Sequence, residues 1–178
     1  MVYEEKTVIP NEQFDNIISY FDEISEKQET INEVIYNYHT EGDLRLIRTK
    51  EYAKLSFKTN NKHNVVYISK KYEKELIEMF FNICIAIDFK RFRNRNKYLY
   101  NNLYITIDKN IKTGNILRVK FNYKNEEEKE KLIELKNKLY EEANIEKTPL
   151  DKFEEIYGKY RSSWNDLVGD MDEEEFLN

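Results

Sequence analysis

Residues 108–121, "DKNIKTGNILRVKF", decide how this chain is read. An aspartate closes one segment and Thr113-Gly114-Asn115 can turn the chain, because Gly and Asn tolerate left-handed backbone. The strand that follows alternates, with Leu117, Val119 and Phe121 to one side and Arg118 and Lys120 to the other. Such a strand belongs to a sheet whose two faces meet different surroundings. Unpaired charges are too costly to bury dry, so the cationic face must reach either solvent or a wet lumen.

The same mixture recurs outward from this strand. Glu4 alternates with Lys6, Lys54 with Ser56 and Lys58, Arg91 with Arg93 and Arg95, and Thr106 with Asp108. Val2 to Ile9 reads as a strand, and Pro10-Asn11 then opens a helix with Phe14, Ile17, Ile18, Phe21 and Ile24 on one face. Glu33 to Thr59 predicts three antiparallel strands with turns at Glu41-Gly42-Asp43 and Lys50-Glu51. Asn64 to Ser69 predicts a further strand, Lys70 to Asn82 a helix, and 83–121 a long β stretch with turns at Asn101-Asn102 and Thr113-Gly114-Asn115. Helices over 126–142 and 149–168 close the pattern, the second opening at Thr148-Pro149. The expected class is α+β: an antiparallel eight-stranded β-barrel, or tunnel, with flanking helices and two C-terminal helices.

With 178 residues and 40% hydrophobic content, the chain can bury one sizeable core, so 1–168 is expected to be a single domain. Residues 169–178 read as a short acidic tail, solvated by default, with docking through Phe176-Leu177 as the lesser alternative. The net charge of -5 conceals cations clustered mid-chain and acids crowded toward the end, so a local basic site is compatible with an acidic protein. The one cysteine, Cys84, sits in an apolar run and reads as a core thiol, which leaves no disulfide or zinc framework. No apolar run approaches the roughly 18 residues that a spanning helix needs. A soluble cytoplasmic protein without a membrane partner is expected.

In order and spacing these stretches resemble the CYTH domains, or triphosphate tunnel metalloenzymes, which include thiamine triphosphatases, inorganic triphosphatases and class IV adenylyl cyclases. Val2-Tyr3-Glu4-Glu5-Lys6 stands where the family has ExExK, and Leu44-Arg45-Leu46 and Leu55-Ser56-Phe57-Lys58 resemble its LRIR and LTLK strands. Arg93-Asn94-Arg95-Asn96-Lys97-Tyr98 resembles KxRxxY, Asp108 the aspartate ending the next strand, and Gly114 with Ile116-Leu117-Arg118-Val119-Lys120 the final FxEIE element. The resemblance implies a phosphate-binding tunnel with metal-holding acids. Here, however, Val2 replaces the first acid, the middle strand Asn64 to Ser69 carries none, and the final pair is Arg118 and Lys120.

Fixed cations standing where carboxylates would recruit metal suggest direct binding of a phosphorylated ligand, a nucleotide or oligophosphate, without metal-dependent hydrolysis. The expected ligand-binding residues are Lys6, Arg45, Lys58, Arg93, Arg95, Arg118 and Lys120; no cofactor is expected. Two alternatives stand beside this. A divergent triphosphatase or cyclase would use Mg or Mn on Glu4 and Asp108, with Glu5 or Glu33 as further acids. An inactive barrel would instead serve as a protein-interaction subunit through its C-terminal helices or tail. Nucleic-acid binding through the basic run 90–95 ranks below a small ligand.

Overall fold

The computed structural model describes residues 1–60, 62–83 and 86–178; Cys84, expected as a core thiol, lies outside the described residues. Among the described residues eight strands are found: β1 (Val2–Ile9), β2 (Glu26–Tyr38), β3 (Asp43–Arg48), β4 (Tyr52–Lys58), β5 (His63–Ser69), β6 (Ile87–Tyr100), β7 (Leu103–Asn110) and β8 (Gly114–Asn122). The same residues contain the α-helices α1 (Asn11–Ile24), α2 (Glu73–Asn82), α3 (Glu126–Glu142), α4 (Leu150–Val168) and α5 (Glu173–Leu177). The strands form one antiparallel sheet in the order β1-β8-β7-β6-β2-β3-β4-β5, so β1 and β5 are its ends. Among the described residues no ladder joins those two ends, and the expected barrel is thus an eight-stranded sheet without hydrogen-bonded closure.

Turn chemistry accounts for the tight connections. Asn101 and Asn102 both take positive φ, 44° and 68°, between β6 and β7, a conformation that Asn tolerates better than most side chains. Gly114, at φ 94°, begins β8 where a side chain would be strained. α3 is capped by Asn125, whose side chain accepts the Glu128 N–H at 2.9 Å, while the Glu128 carboxylate accepts the Lys124 N–H at 2.7 Å.

The chain divides into two compact units. The first comprises Met1–Thr30 and Asn94–Tyr157. Its core is built by alternation: Leu117, Val119 and Phe121 of β8 and Leu103, Ile105 and Ile107 of β7 turn one face toward Phe14, Ile17 and Phe21 of α1 and Leu139 and Tyr140 of α3. Each fully buried side chain of this size contributes roughly 1.5–3 kcal/mol. The opposite face is thereby left for the polar residues.

The second unit comprises Ile31–Arg93 and Gly158–Asn178. Tyr38 packs on Phe80 of α2 with ring centroids 5.1 Å apart, and the Tyr160 hydroxyl of α4 donates to the Lys90 carbonyl at 2.5 Å. The acidic terminus is not a solvated tail. It forms α5, with Leu177 buried, Phe176 edge-on to Phe92 at 5.2 Å, and Asn32 donating to the Phe176 carbonyl at 2.9 Å. Glu173 accepts the Tyr36 hydroxyl at 2.6 Å and pairs with Arg48 and Lys90, while Glu174 meets Arg48 at 2.6 Å. Arg48 on β3 and the buried Lys90 on β6 therefore fix an acidic segment that its composition alone would leave in water.

Candidate functional site

The register of β1, β8 and β7 places the polar residues of the first unit. Glu4 stands opposite Lys120 and Lys6 opposite Arg118 across β1 and β8, while Tyr104 faces Lys120 and Thr106 faces Arg118 across β8 and β7. Residues directly opposite in an antiparallel pair share a face. Glu4, Lys6, Arg118, Lys120, Tyr104 and Thr106 thus form one polar patch on the side away from the core.

Three cations surround one acid there. Glu4 Oε1 lies 3.4 Å from Lys6 Nζ and 3.7 Å from Arg118 Nε, and all three side chains remain partly exposed. Burial pushes the Glu4 carboxyl up, but Arg118, Lys6 and Lys120 outweigh it and hold the group below the usual carboxylate range. Glu4 stays ionised and neutralises only part of the patch. Among the described residues no carboxylate reaches ion-pair distance of Lys120, which is exposed.

A cleft of about 460 Å³ opens beside Lys120, lined also by Lys97, Tyr104, Thr106, Asn122 and Gln28. Lys97, which is not among the expected ligand-binding residues, enters this cleft and pairs with Glu29. Its signal was the alternation itself, since Arg93, Arg95 and Lys97 lie at successive even steps.

The other expected cations are held differently. Arg95 makes a bidentate pair with Asp108, Nε to Oδ1 and Nη2 to Oδ2, each at 2.7 Å. Asp108 lies opposite Ile116 on β8, four residues from Lys120, the partner of Glu4. At about 3.4 Å per residue that is roughly 14 Å along the strand. The register therefore does not bring Glu4 and Asp108 together.

The second unit has its own polar face. Arg93 is buried and hydrogen-bonded to Glu33, with Nε to Oε2 at 2.7 Å. Arg45 clasps Asp43, Nε to Oδ1 at 2.6 Å, and stands opposite Ser56, while Lys58 stands opposite Asp43 at the open end of the β3–β4 ladder. Ser56 Oγ lies 3.0 Å from His63 Nε2.

These donors do not fit the paired divalent ions implied by the family resemblance. Glu4 is ringed by cations, Asp108 is taken by Arg95, and Glu33 by Arg93. Glu5 projects to the opposite face from Glu4, where it accepts from Lys136 Nζ and the Tyr3 hydroxyl, each at 2.5 Å. Among the described residues no three His, Cys, Asp or Glu side chains converge. A divalent site of the usual carboxylate-rich kind would need such convergence.

No family model matches the chain, and no curated protein matches it. Solved structures show its fold. The PH1012 protein from Pyrococcus horikoshii OT3 superposes with a TM-score of 0.62 at 15% identity, over 78% of this chain and 90% of that one. A proposed adenylate cyclase from Vibrio parahaemolyticus gives 0.61 at 18% identity, over 85% and 96%. A chain of the Schizosaccharomyces pombe Mediator head module gives 0.57 at 12% identity, over 78% and 94%. The chain thus has the fold that the triphosphate-tunnel resemblance implied, shared with proteins of different description.

Proposed function

We propose that this chain binds a phosphorylated ligand, a nucleotide or oligophosphate, on the polar face of the first unit, without metal-dependent hydrolysis. The observation that carries this reading is the gathering of cations at one point: the strand register sets Lys6, Arg118 and Lys120 around Glu4 on one face, and Lys120 is exposed there. Phosphate oxygens accept charge-assisted hydrogen bonds from such groups directly, with no bridging metal. Lys97, paired with Glu29, lines the adjoining cleft within the same unit. Arg93 and Arg95, each clasped by a buried carboxylate, have structural roles here, as Arg45 does through its clasp on Asp43, whereas Lys58 supplies exposed charge on the second unit.

Calorimetry in EDTA with tripolyphosphate, ATP and cyclic AMP tests this reading. Binding to at least one of them is expected, weakened about tenfold or more in Arg118→Ala and Lys120→Ala, in keeping with the strength of charge-assisted contacts. A folded protein that binds none of them, or binds them equally well in both variants, overturns it.

A second reading, that the fold acts as a subunit of a protein assembly, draws on the likeness to the Mediator head module chain. It predicts that Arg118 and Lys120 are dispensable while changes on the helices are not. The enzymic alternative requires manganese- or magnesium-stimulated release of phosphate that is lost in Glu4→Ala.

A further inference from the structure

In a chain that is 35% charged, β5 carries no charged residue at all. It lies at one end of the sheet order, and Val65, Val66 and Tyr67 are 41%, 56% and 65% exposed. Edge strands are normally guarded by charge, proline or a bulge, because their unpaired N–H and C=O groups template further pairing. The other end strand, β1, is guarded by Glu4, Glu5 and Lys6; β5 has no such device.

Which backbone groups β5 presents outward follows from its ladder with β4. The Thr59 N–H donates to the Lys62 carbonyl at 2.9 Å, so 59 and 62 form a hydrogen-bonded pair. Pairs along an antiparallel ladder alternate between bonded and non-bonded. The register Phe57↔Asn64, Leu55↔Val66, Ala53↔Ile68 therefore contains the bonded pairs, and Asn64, Val66 and Ile68 direct their backbone groups to β4. The other connection agrees: the Thr49 N–H bonds the Tyr52 carbonyl at 2.9 Å, which by the same alternation turns Leu55 away from β3 and toward β5. His63, Val65, Tyr67 and Ser69 are left directing N–H and C=O outward.

We propose that two copies of this chain pair through β5, antiparallel about a two-fold axis at Val66. In that register Val65 meets the partner's Tyr67 and Tyr67 the partner's Val65, all with outward backbone groups, so they form bonded pairs on both sides of the axis. Val66 meets its own copy in the narrow, non-bonded position, where side chains approach most closely. His63 meets Ser69, so no like charges oppose one another anywhere in the strand. A second copy suits this edge better than a charged peptide because the strand is uncharged and its outward groups are self-complementary, as an isologous contact demands. Just beyond the ladder Lys62 approaches the partner's Lys70, whose charge is offset by Glu73 at 2.5 Å. The residual repulsion makes the pairing stronger as salt rises.

Sedimentation across a concentration series tests the pairing in the whole chain. The expected result is a reversible shift from monomer mass to twice that mass, favoured by added salt. Val66→Lys, which sets two like charges on the axis, and Tyr67→Pro, which removes an outward N–H without touching the β4 ladder, should both reduce self-association at least tenfold, with unchanged circular dichroism. Should either variant unfold, Val66→Cys in a Cys84→Ser background decides the matter, since oxidant should then link two chains through the axial residue. A chain that stays monomeric throughout, a dimer indifferent to these substitutions, or a Val66→Cys variant that fails to cross-link overturns the proposal, including the case in which β5 accepts only an extended peptide.

Discussion

Arg95 and Asp108 are joined twice, Nε to Oδ1 and Nη2 to Oδ2 at 2.7 Å each, with the aspartate only 2% exposed. An aspartate that the sequence alone offers as a candidate metal ligand is here committed to a guanidinium on the neighbouring strand. Asp108→Ala should therefore cost stability more than ligand binding. Breaking a buried pair from one side costs about 3–5 kcal/mol, whereas exchanging both partners for packed apolar groups is far milder. Urea denaturation of Asp108→Ala, Arg95→Met and the double variant Arg95→Met/Asp108→Leu checks this, with the double variant expected to recover most of the single loss.

Glu4 gives the opposite sign. Its carboxyl stands among the cations of the polar patch and is held ionised by Arg118, Lys6 and Lys120. Glu4→Gln removes repulsion against an incoming phosphate, so affinity for tripolyphosphate in EDTA should rise by about 1.5- to 5-fold, the range of one exposed charge interaction. If Glu4 instead held a metal for the ligand, the same change would weaken binding, and titration with and without magnesium separates the two outcomes.

The strand pattern was largely legible. β1, β3, β4 and β5, the helices α1 and α3 and the asparagine turn at 101–102 lie where alternation, helical spacing and turn residues place them. β2 begins earlier than expected because Glu26-Lys27-Gln28-Glu29-Thr30 is uniformly polar and shows no apolar alternation, although it continues the same strand. What local pattern could not supply was the choice of partner. Alternation puts Arg93, Arg95, Arg118, Glu4 and Asp108 on polar faces; Arg95 and Asp108 lie only 13 residues apart on the successive strands β6 and β7, but that Arg93 takes Glu33, 60 residues away on β2, is beyond any local pattern. The terminal acids misled for the same reason, their cations being more than 80 residues away along the chain for Lys90 and farther for Arg48.

That terminal helix gives a stability prediction. Glu173 gathers Tyr36, Arg48 and Lys90, and Leu177 is 4% exposed. Leu177→Ala should destabilise by about 2–5 kcal/mol, as for other buried leucines. Glu173→Ala should be comparably severe because it leaves two cations short of a carboxylate. Equilibrium unfolding measures both, and a removable tail would show neither effect.

The polar contact on the core side of β1 sets the behaviour in acid. Burial raises the Glu5 carboxyl, but hydrogen bonds from Lys136 and Tyr3 and the charges of Lys136 and Lys147 more than offset it, leaving the group below its ordinary value of 4.5. A carboxyl depressed by folding contributes stability that is present above its unfolded value and is lost as pH falls through the folded one. Thermal midpoints should accordingly stay level from about pH 7 to pH 5 with respect to this group and fall below 4.5, where Glu5 takes up a proton and the Lys136 ammonium, 1% exposed, loses its counter-charge. Glu5→Gln should lower the midpoint at pH 7 and flatten the decline below 4.5, so the two proteins converge in acid. Scanning calorimetry at pH 3, 4, 5 and 7 on both chains checks this. A variant curve parallel to the wild type would mean that Glu5 carries none of the acid sensitivity.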